Sequence, residues 1–320
     1  MYKIFIFILF SSSTFAQSWQ PLQATNTCTA RSESSLAYIK NKIYLLGSRG
    51  IRPVDAYDLN TKTWTAMASP PIELHHFQAT VYKKEIWVLA AFTKDYPHEL
   101  PVDHAYIFNP IKNVWRQGPA IPQDRLRGSA GVINYKNKIY IVGGEQDGHW
   151  DGHVKWLDEY DPKRNNWKIL ADAPHARDHI QIDVNHGKLY MVAGRRTSTS
   201  TKHVLDLKEP TIDVYEFKTN TWTTLPESSN IPTLRADASV IAYKDMVIAM
   251  GGESDTQVPG HSEVEALNIN TLKWTTMPKL TTGRHGTGAV LIKNKIYFIA
   301  GANNRGGGPE MNSGDVLELK

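Results

Sequence analysis

The chain has 320 residues, of which 41% are apolar and 21% charged, with a formal charge of +4 and a single cysteine, Cys28. This is globular composition, which excludes a disordered chain, and one cysteine excludes a disulfide framework. The charge is modest and no Lys or Arg run carries interleaved aromatics, so nucleic acid is not expected as a partner.

At the N-terminus Lys3 precedes an apolar run from Ile4 to Phe10, and a Ser/Thr stretch then leads to Phe15-Ala16. The pattern predicts a signal peptide over residues 1–16, cleaved after Ala16, and a secreted or periplasmic protein in which residues 17–320 form one domain. The run is too short to cross a bilayer and no cysteine directly follows the cut to take a lipid, so stable membrane insertion is not expected.

A short strand around Trp19-Gln20-Pro21-Leu22 comes next, and then a repeat begins. Ile39 to Tyr44 reads IKNKIY, and nearly the same hexapeptide returns at Tyr135 to Tyr140 and Ile292 to Tyr297. Each copy is followed by two apolar residues and a small pair. The pairs are Gly47-Ser48, Ala90-Ala91, Gly143-Gly144, Ala193-Gly194, Gly251-Gly252 and Ala300-Gly301, giving six units. Thirteen residues before the strand residues Tyr44, Tyr140, Tyr190, Ile248 and Tyr297 stand Arg31, Arg127, Arg177, Arg235 and Arg284, whereas Leu74 stands before Trp87. Downstream, an aromatic or Leu lies seven residues before Trp64, Trp115, Trp167, Trp222 and Trp274.

The stretches between these landmarks are short, rich in Ile, Val, Tyr and Trp, and punctuated by turn dipeptides, so each period of roughly 50 residues reads as four antiparallel strands. A lone four-stranded sheet cannot bury both faces, and radial stacking of the copies also shelters strand edges. The fold is therefore expected to be all-β, a six-bladed β-propeller. The last unit ends after a third strand, Asp315 to Leu319, with no Trp behind it, whereas Trp19 precedes Arg31 at the spacing of the other Trp-to-Arg links. The N-terminal strand is thus expected to close the last blade.

The small pair after an apolar strand, the Tyr three residues before it and the Trp beyond resemble the kelch repeat over the whole of residues 17–320. Leu74 with Ala90-Ala91, Ile248 in place of Tyr, and Ser48 in place of a second Gly depart from it. The resemblance implies a ligand face at the mouth of the axial channel.

Strand direction places two residue sets on that face. One contains Arg31, Arg127, Arg177, Arg235 and Arg284, followed by Glu33, His75, His76, His179 and His285. The other, just past the small pairs, contains Arg49, Glu145, Arg195, Arg196 and Glu253. An Arg at such a mouth wants a carboxylate, a carbonyl or an anionic ligand. Two readings stay open: a ligand-binding ring, or tethers paired with Glu145, Glu253, Asp178, Asp237 or backbone carbonyls. His179, Glu145 and His285 are candidates for acid-base catalysis or for hydrogen-bonded wall positions.

Gly-Gly-Glu-x-Asp followed by Gly-His occurs at 143–153 and again at 251–261. If extended, the first copy would place Glu145, Asp147, His149 and His153 on one face, a mixed donor set suited to a divalent metal; the alternative is a solvated loop. No cofactor is otherwise indicated. Galactose oxidase is a kelch propeller with a copper site built on a Tyr crosslinked to Cys, but Cys28 precedes the first full unit and has no paired Tyr signature. The resemblance extends distantly to N-acetylneuraminate epimerase, which implies an acidic sugar as substrate. The expected partner is an acidic carbohydrate or other carboxylate-bearing ligand, with a sugar-acting epimerase or lyase, or recognition of a protein segment, as alternatives.

Overall fold

The computed structural model describes residues 17–320, so the expected signal peptide lies outside the described residues. Six four-stranded antiparallel sheets surround an axis. Their innermost strands are Ser35–Ile39, Thr80–Tyr82, Gly131–Tyr135, Ile182–Asn185, Ser239–Tyr243 and Ala289–Ile292. The blades are numbered 1 to 6 in that order. Blade 1 shows the pattern, with Lys42–Leu46, Asp55–Asp58 and Thr63–Ala66 following outward in sequence.

Blade 6 closes as expected, because Gln20–Pro21 pairs antiparallel with Gly314–Glu318 in the register Gln20 to Val316 and Pro21 to Asp315. Trp19 is buried beside Ile241, Leu280 and Leu317, and its Nε1 donates to the Pro278 carbonyl at 2.8 Å. The outer-strand Trp residues of other blades make the same reach to a carbonyl of the preceding blade. Trp115 donates to Ala68 at 3.1 Å, Trp167 to Ala120 at 3.0 Å, Trp222 to Ala171 at 2.8 Å and Trp274 to Ser229 at 2.8 Å.

Apolar burial lies between blades. Six clusters each draw on two neighbours: Tyr44 and Leu46 meet Leu74 and Phe108 between blades 1 and 2, and Val290 and Ile299 meet Cys28 and Leu45 between blades 6 and 1. The alternating strands thus bury both faces only because another blade covers each one.

The small pairs stitch neighbours by backbone. The first member has φ between 50° and 85° in every blade, and in five of the six the second donates its N–H to the next blade, as Gly144 does to the Arg177 carbonyl at 2.8 Å and Gly252 to the Arg284 carbonyl at 2.8 Å. A Cβ at Gly143 would stand 2.6 Å from that Arg177 oxygen, so a side chain there would force the two blades to shift. Between the second and third strands of blade 2, Phe92–Thr93 pairs with Leu100–Pro101; in blade 3, Glu145–Asp147 pairs with Asp151–His153. These extra hairpins stand over the channel mouth.

Candidate functional site

The innermost ring is built from the residue two after each Arg position: Glu33, His76, Ser129, His179, Asp237 and Gly286. All six have φ between 49° and 65°. This left-handed turn aims the backbone groups around the axis. The His76 N–H donates to the Glu33 carbonyl at 3.2 Å, Ser129 N–H to the His76 carbonyl at 2.9 Å, Asp237 N–H to the His179 carbonyl at 2.8 Å, and Ser34 N–H to the Gly286 carbonyl at 3.0 Å. The His179 N–H completes that side through Ser129 Oγ at 3.0 Å. Above this floor opens a cavity of about 580 Å³, lined by Glu33, His76, His149, His179, Glu253 and His285, with Arg49, Arg195, Tyr96, Val204 and Leu205 on its walls.

One side of the cavity is imidazole-rich. His76, His149 and His179 face one another edge to face, with ring centroids 4.8 to 5.1 Å apart. His75 Nε2 donates to the Lys94 carbonyl at 3.2 Å, which leaves its Nδ1 to accept from His76 Nδ1 at 2.6 Å. His76 Nε2 then accepts from Glu33 Oε2, 3.1 Å away. A protonated Glu33 fits its surroundings, since burial and the neighbouring Asp237 push its carboxyl up to about 8. Burial and adjacent imidazoles hold His76 well below the ordinary histidine range.

The opposite side is charged. His285 donates to Asp237 Oδ2 at 3.1 Å and to the Asn304 carbonyl at 2.9 Å, and its Nε2 lies 3.5 Å from Glu253. Burial alone would lower this imidazole, but Glu253 and Asp237 outweigh it and raise it to about 10, so His285 is an imidazolium. Arg195 is buried and pairs with Glu253. Glu253 is held far below the usual carboxylate range, because His285 and Arg195 overcome the effect of burial.

Several sequence expectations are corrected here. Arg31, Arg127, Arg177, Arg235 and Arg284 do not ring the mouth, since each is buried and turned into its own blade. Each reaches an acid at the start of the third strand: Asp55 at 2.5 Å, Asp158 at 2.8 Å, Asp213 at 2.6 Å, Glu265 at 2.6 Å and Asp315 at 2.8 Å. Carbonyls take other donors, as Gly143 O does from Arg127 at 2.8 Å and Ser313 O from Arg284 at 2.9 Å. These are tethers, and their acids are not the Glu145, Glu253, Asp178 or Asp237 expected. Of the remaining Arg residues, Arg49 lines the cavity with its side chain 37% exposed and pairs with Glu99, whereas Arg196 is exposed and stands outside it.

The set Glu145, Asp147, His149 and His153 does not converge, because a turn after Asp147 folds the segment back as a hairpin. His149 swings to the axis. Asp147 stays at the surface with His98, and His153 lies beside Asp151. Glu145 is fully buried, neither oxygen has a hydrogen-bond partner among the described residues, and burial with the nearby Asp178 raises its carboxyl well above the usual range. His75 is buried behind His76, off the cavity wall.

Glu99 and Tyr96 come from the blade 2 hairpin, outside the repeat register, and no spacing marks them. Glu99 is fully buried and accepts from both Arg49 and His149. The third-strand acids did have a signal, since each lies two residues before the aromatic or Leu of its unit.

Six blades of this form, stitched by small pairs and closed by the N-terminal strand, make a β-propeller of the kelch class. The chain belongs to the kelch-repeat family: the KLHDC2/KLHL20/DRC7 Kelch-repeats domain matches residues 117–301. It is 25% identical over 289 residues to Kelch-like protein terF of Aspergillus terreus, covering 85% of this chain and 61% of that protein. It is 26% identical over 264 residues to Kelch-like protein 38 of Rattus norvegicus, covering 81% of this chain and 42% of that protein. The chain therefore spans only part of the length of these relatives. The solved structure of YjhT superposes with a TM-score of 0.75 at 16% identity, over 91% of this chain and 95% of that one, which shows a shared fold.

Proposed function

We propose that this propeller is an extracytoplasmic binding protein whose mouth takes an acidic carbohydrate or a similar carboxylate-bearing small molecule. The carrying observation is Arg49: its guanidinium spends one contact on the buried Glu99 and keeps other donors at the cavity, where 37% of the side chain is open. A cavity of about 580 Å³ is of small-molecule size. Tyr96, Val204 and Leu205 offer apolar contacts for a sugar face, while Arg49 supplies a planar donor fork for a carboxylate. The N-terminal run from Ile4 to Phe10 supports the extracytoplasmic part of the reading.

The contact between Glu33 and His76 favours a second reading, a sugar-acting epimerase or lyase. A protonated carboxyl hydrogen-bonded to a neutral imidazole at the cavity floor can pass a proton to and from a bound substrate.

Calorimetric titration of residues 17–320 with glucuronate and N-acetylneuraminate, against glucose and galactose, tests the binding reading. Acidic sugars should bind at least tenfold tighter than neutral ones, because a charge-assisted contact contributes about 1.5 to 3 kcal/mol. Equal affinity for the neutral sugars refutes it. Proton exchange at a sugar carbon in deuterated solvent would favour the second reading.

A further inference from the structure

We infer that His76, His149 and His179 form a binding site for one late first-row divalent metal ion of the Zn²⁺ type, with its open position toward the cavity. The three residues come from blades 2, 3 and 4, far apart in sequence, and one ring nitrogen of each lies within 4.8 Å of the others.

The orientation of the rings carries the inference. Each has its Nδ1 held from behind: His149 by Glu99 Oε2 at 2.7 Å, His179 by Asp178 Oδ1 at 2.5 Å and His76 by His75 Nδ1 at 2.6 Å. A proton fixed on Nδ1 leaves the lone pair on Nε2. Carboxylate-histidine pairs of this kind are the usual outer support of metal-bound imidazoles, fixing the tautomer and raising ligand basicity.

A second, independent observation is that His179 Nε2 is buried without a hydrogen-bond partner among the described residues. A buried polar atom left bare costs stability, and a metal ion would satisfy it.

Three imidazoles select Zn²⁺, Co²⁺ or Cu²⁺ over Ca²⁺ and Mg²⁺, which demand oxygen donors. Zn–N bonds of about 2.0–2.1 Å place tetrahedral nitrogens roughly 3.4 Å apart, so the rings need to draw in slightly. Glu33 Oε2, 3.1 Å from His76 Nε2, is the adjacent oxygen donor. The inference stands without the sugar reading, because the probe is the metal alone: failure of either leaves the other intact.

The test is titration of chelator-stripped residues 17–320 with Zn²⁺, paired with the visible spectrum of the Co²⁺-loaded protein. One equivalent should bind, Co²⁺ should show the intense bands of a low-coordinate imidazole site, and Ca²⁺ should not compete. His149→Ala and His179→Ala should each weaken Zn²⁺ binding at least 100-fold. Glu99→Gln should weaken it about 10- to 100-fold. His153→Ala and Asp147→Asn, outside the cluster, should leave it unchanged. Should a histidine variant not fold, X-ray absorption of the Zn²⁺-loaded wild type decides the matter, with three imidazoles expected. Failure of the wild type to take up Zn²⁺ or Co²⁺, undiminished uptake by the folded His149→Ala and His179→Ala variants, preference for Ca²⁺, or a shell without imidazole would each overturn the inference.

Discussion

Leu74 and Tyr106 occupy in blade 2 the positions that an Arg and an acid hold in the other five blades, and they are buried in the same cluster. Both halves of the pair have changed together. Leu74→Arg alone would therefore bury a cation with no acid to meet it, at a cost of about 3 to 5 kcal/mol. The double variant Leu74→Arg with Tyr106→Asp should recover part of that loss. Urea unfolding measures both, and a double variant no more stable than the single would sink the pairing.

Arg177→Ala should cost about 3 kcal/mol, since it removes the guanidinium paired with the fully buried Asp213 and leaves that carboxylate only Thr224 and His175 as side-chain partners. It should leave uronate affinity unchanged, because the guanidinium is turned away from the cavity. Calorimetry on the folded variant checks this, and a loss of affinity without a loss of stability would return Arg177 to the binding site.

Arg49→Ala should lower affinity for glucuronate at least tenfold with little change in melting temperature, and Arg196→Ala should change neither. Arg195→Ala should lower both, because it leaves Glu253 beside His285 without its Arg partner. Titration and melting of the three variants together separate ligand contact from support.

Trp19→Ala should destabilise the protein by about 3 to 5 kcal/mol, the usual cost of a large buried aromatic. Deletion of residues 17–21 should cost more, since the edge of Gly314–Glu318 also loses its partner strand. Melting like wild type in the truncated protein would mean that blade 6 closes without the clasp.

His285 gives the stability a pH slope whose sign is fixed by its raised affinity for a proton. With the folded imidazole near 10 and the ordinary value at 6.5, its contribution is fully present below about pH 6.5 and disappears as the pH rises through about 10. Wild type should lose stability relative to His285→Asn across that window. Melting temperatures at pH 6 and pH 10 give the comparison, and parallel curves would show that the imidazolium is not bound by Asp237 and Glu253 in the folded protein.

The architecture was legible because its causes repeat: six small pairs, five Arg and five Trp in register each report one packing requirement in unit after unit. The site was less legible because it is where the units differ. His76 and His179 could be placed at the mouth from their offset to Arg, but Glu99 lies in an insertion that follows no register. Reading residues 145–153 as extended failed at one turn, which sent His149 inward and left His153 behind. The Arg series misled because a cation near a channel was assumed to face it, whereas the third-strand acids drew it into the blade.

The left-handed turn at the channel floor also filters chemistry. A backbone with φ near 50° disfavours branched and bulky side chains, and outside glycine it is most tolerant of Asn, Asp and His. Three of the six floor positions are His76, His179 and Asp237, each joined to a neighbouring floor position by at least one main-chain bond that does not depend on its own side chain. A conformational rule needed to close the ring thus supplies it with residue types able to carry protons and ligate metals, and new specificities can arise at those positions without altering the scaffold.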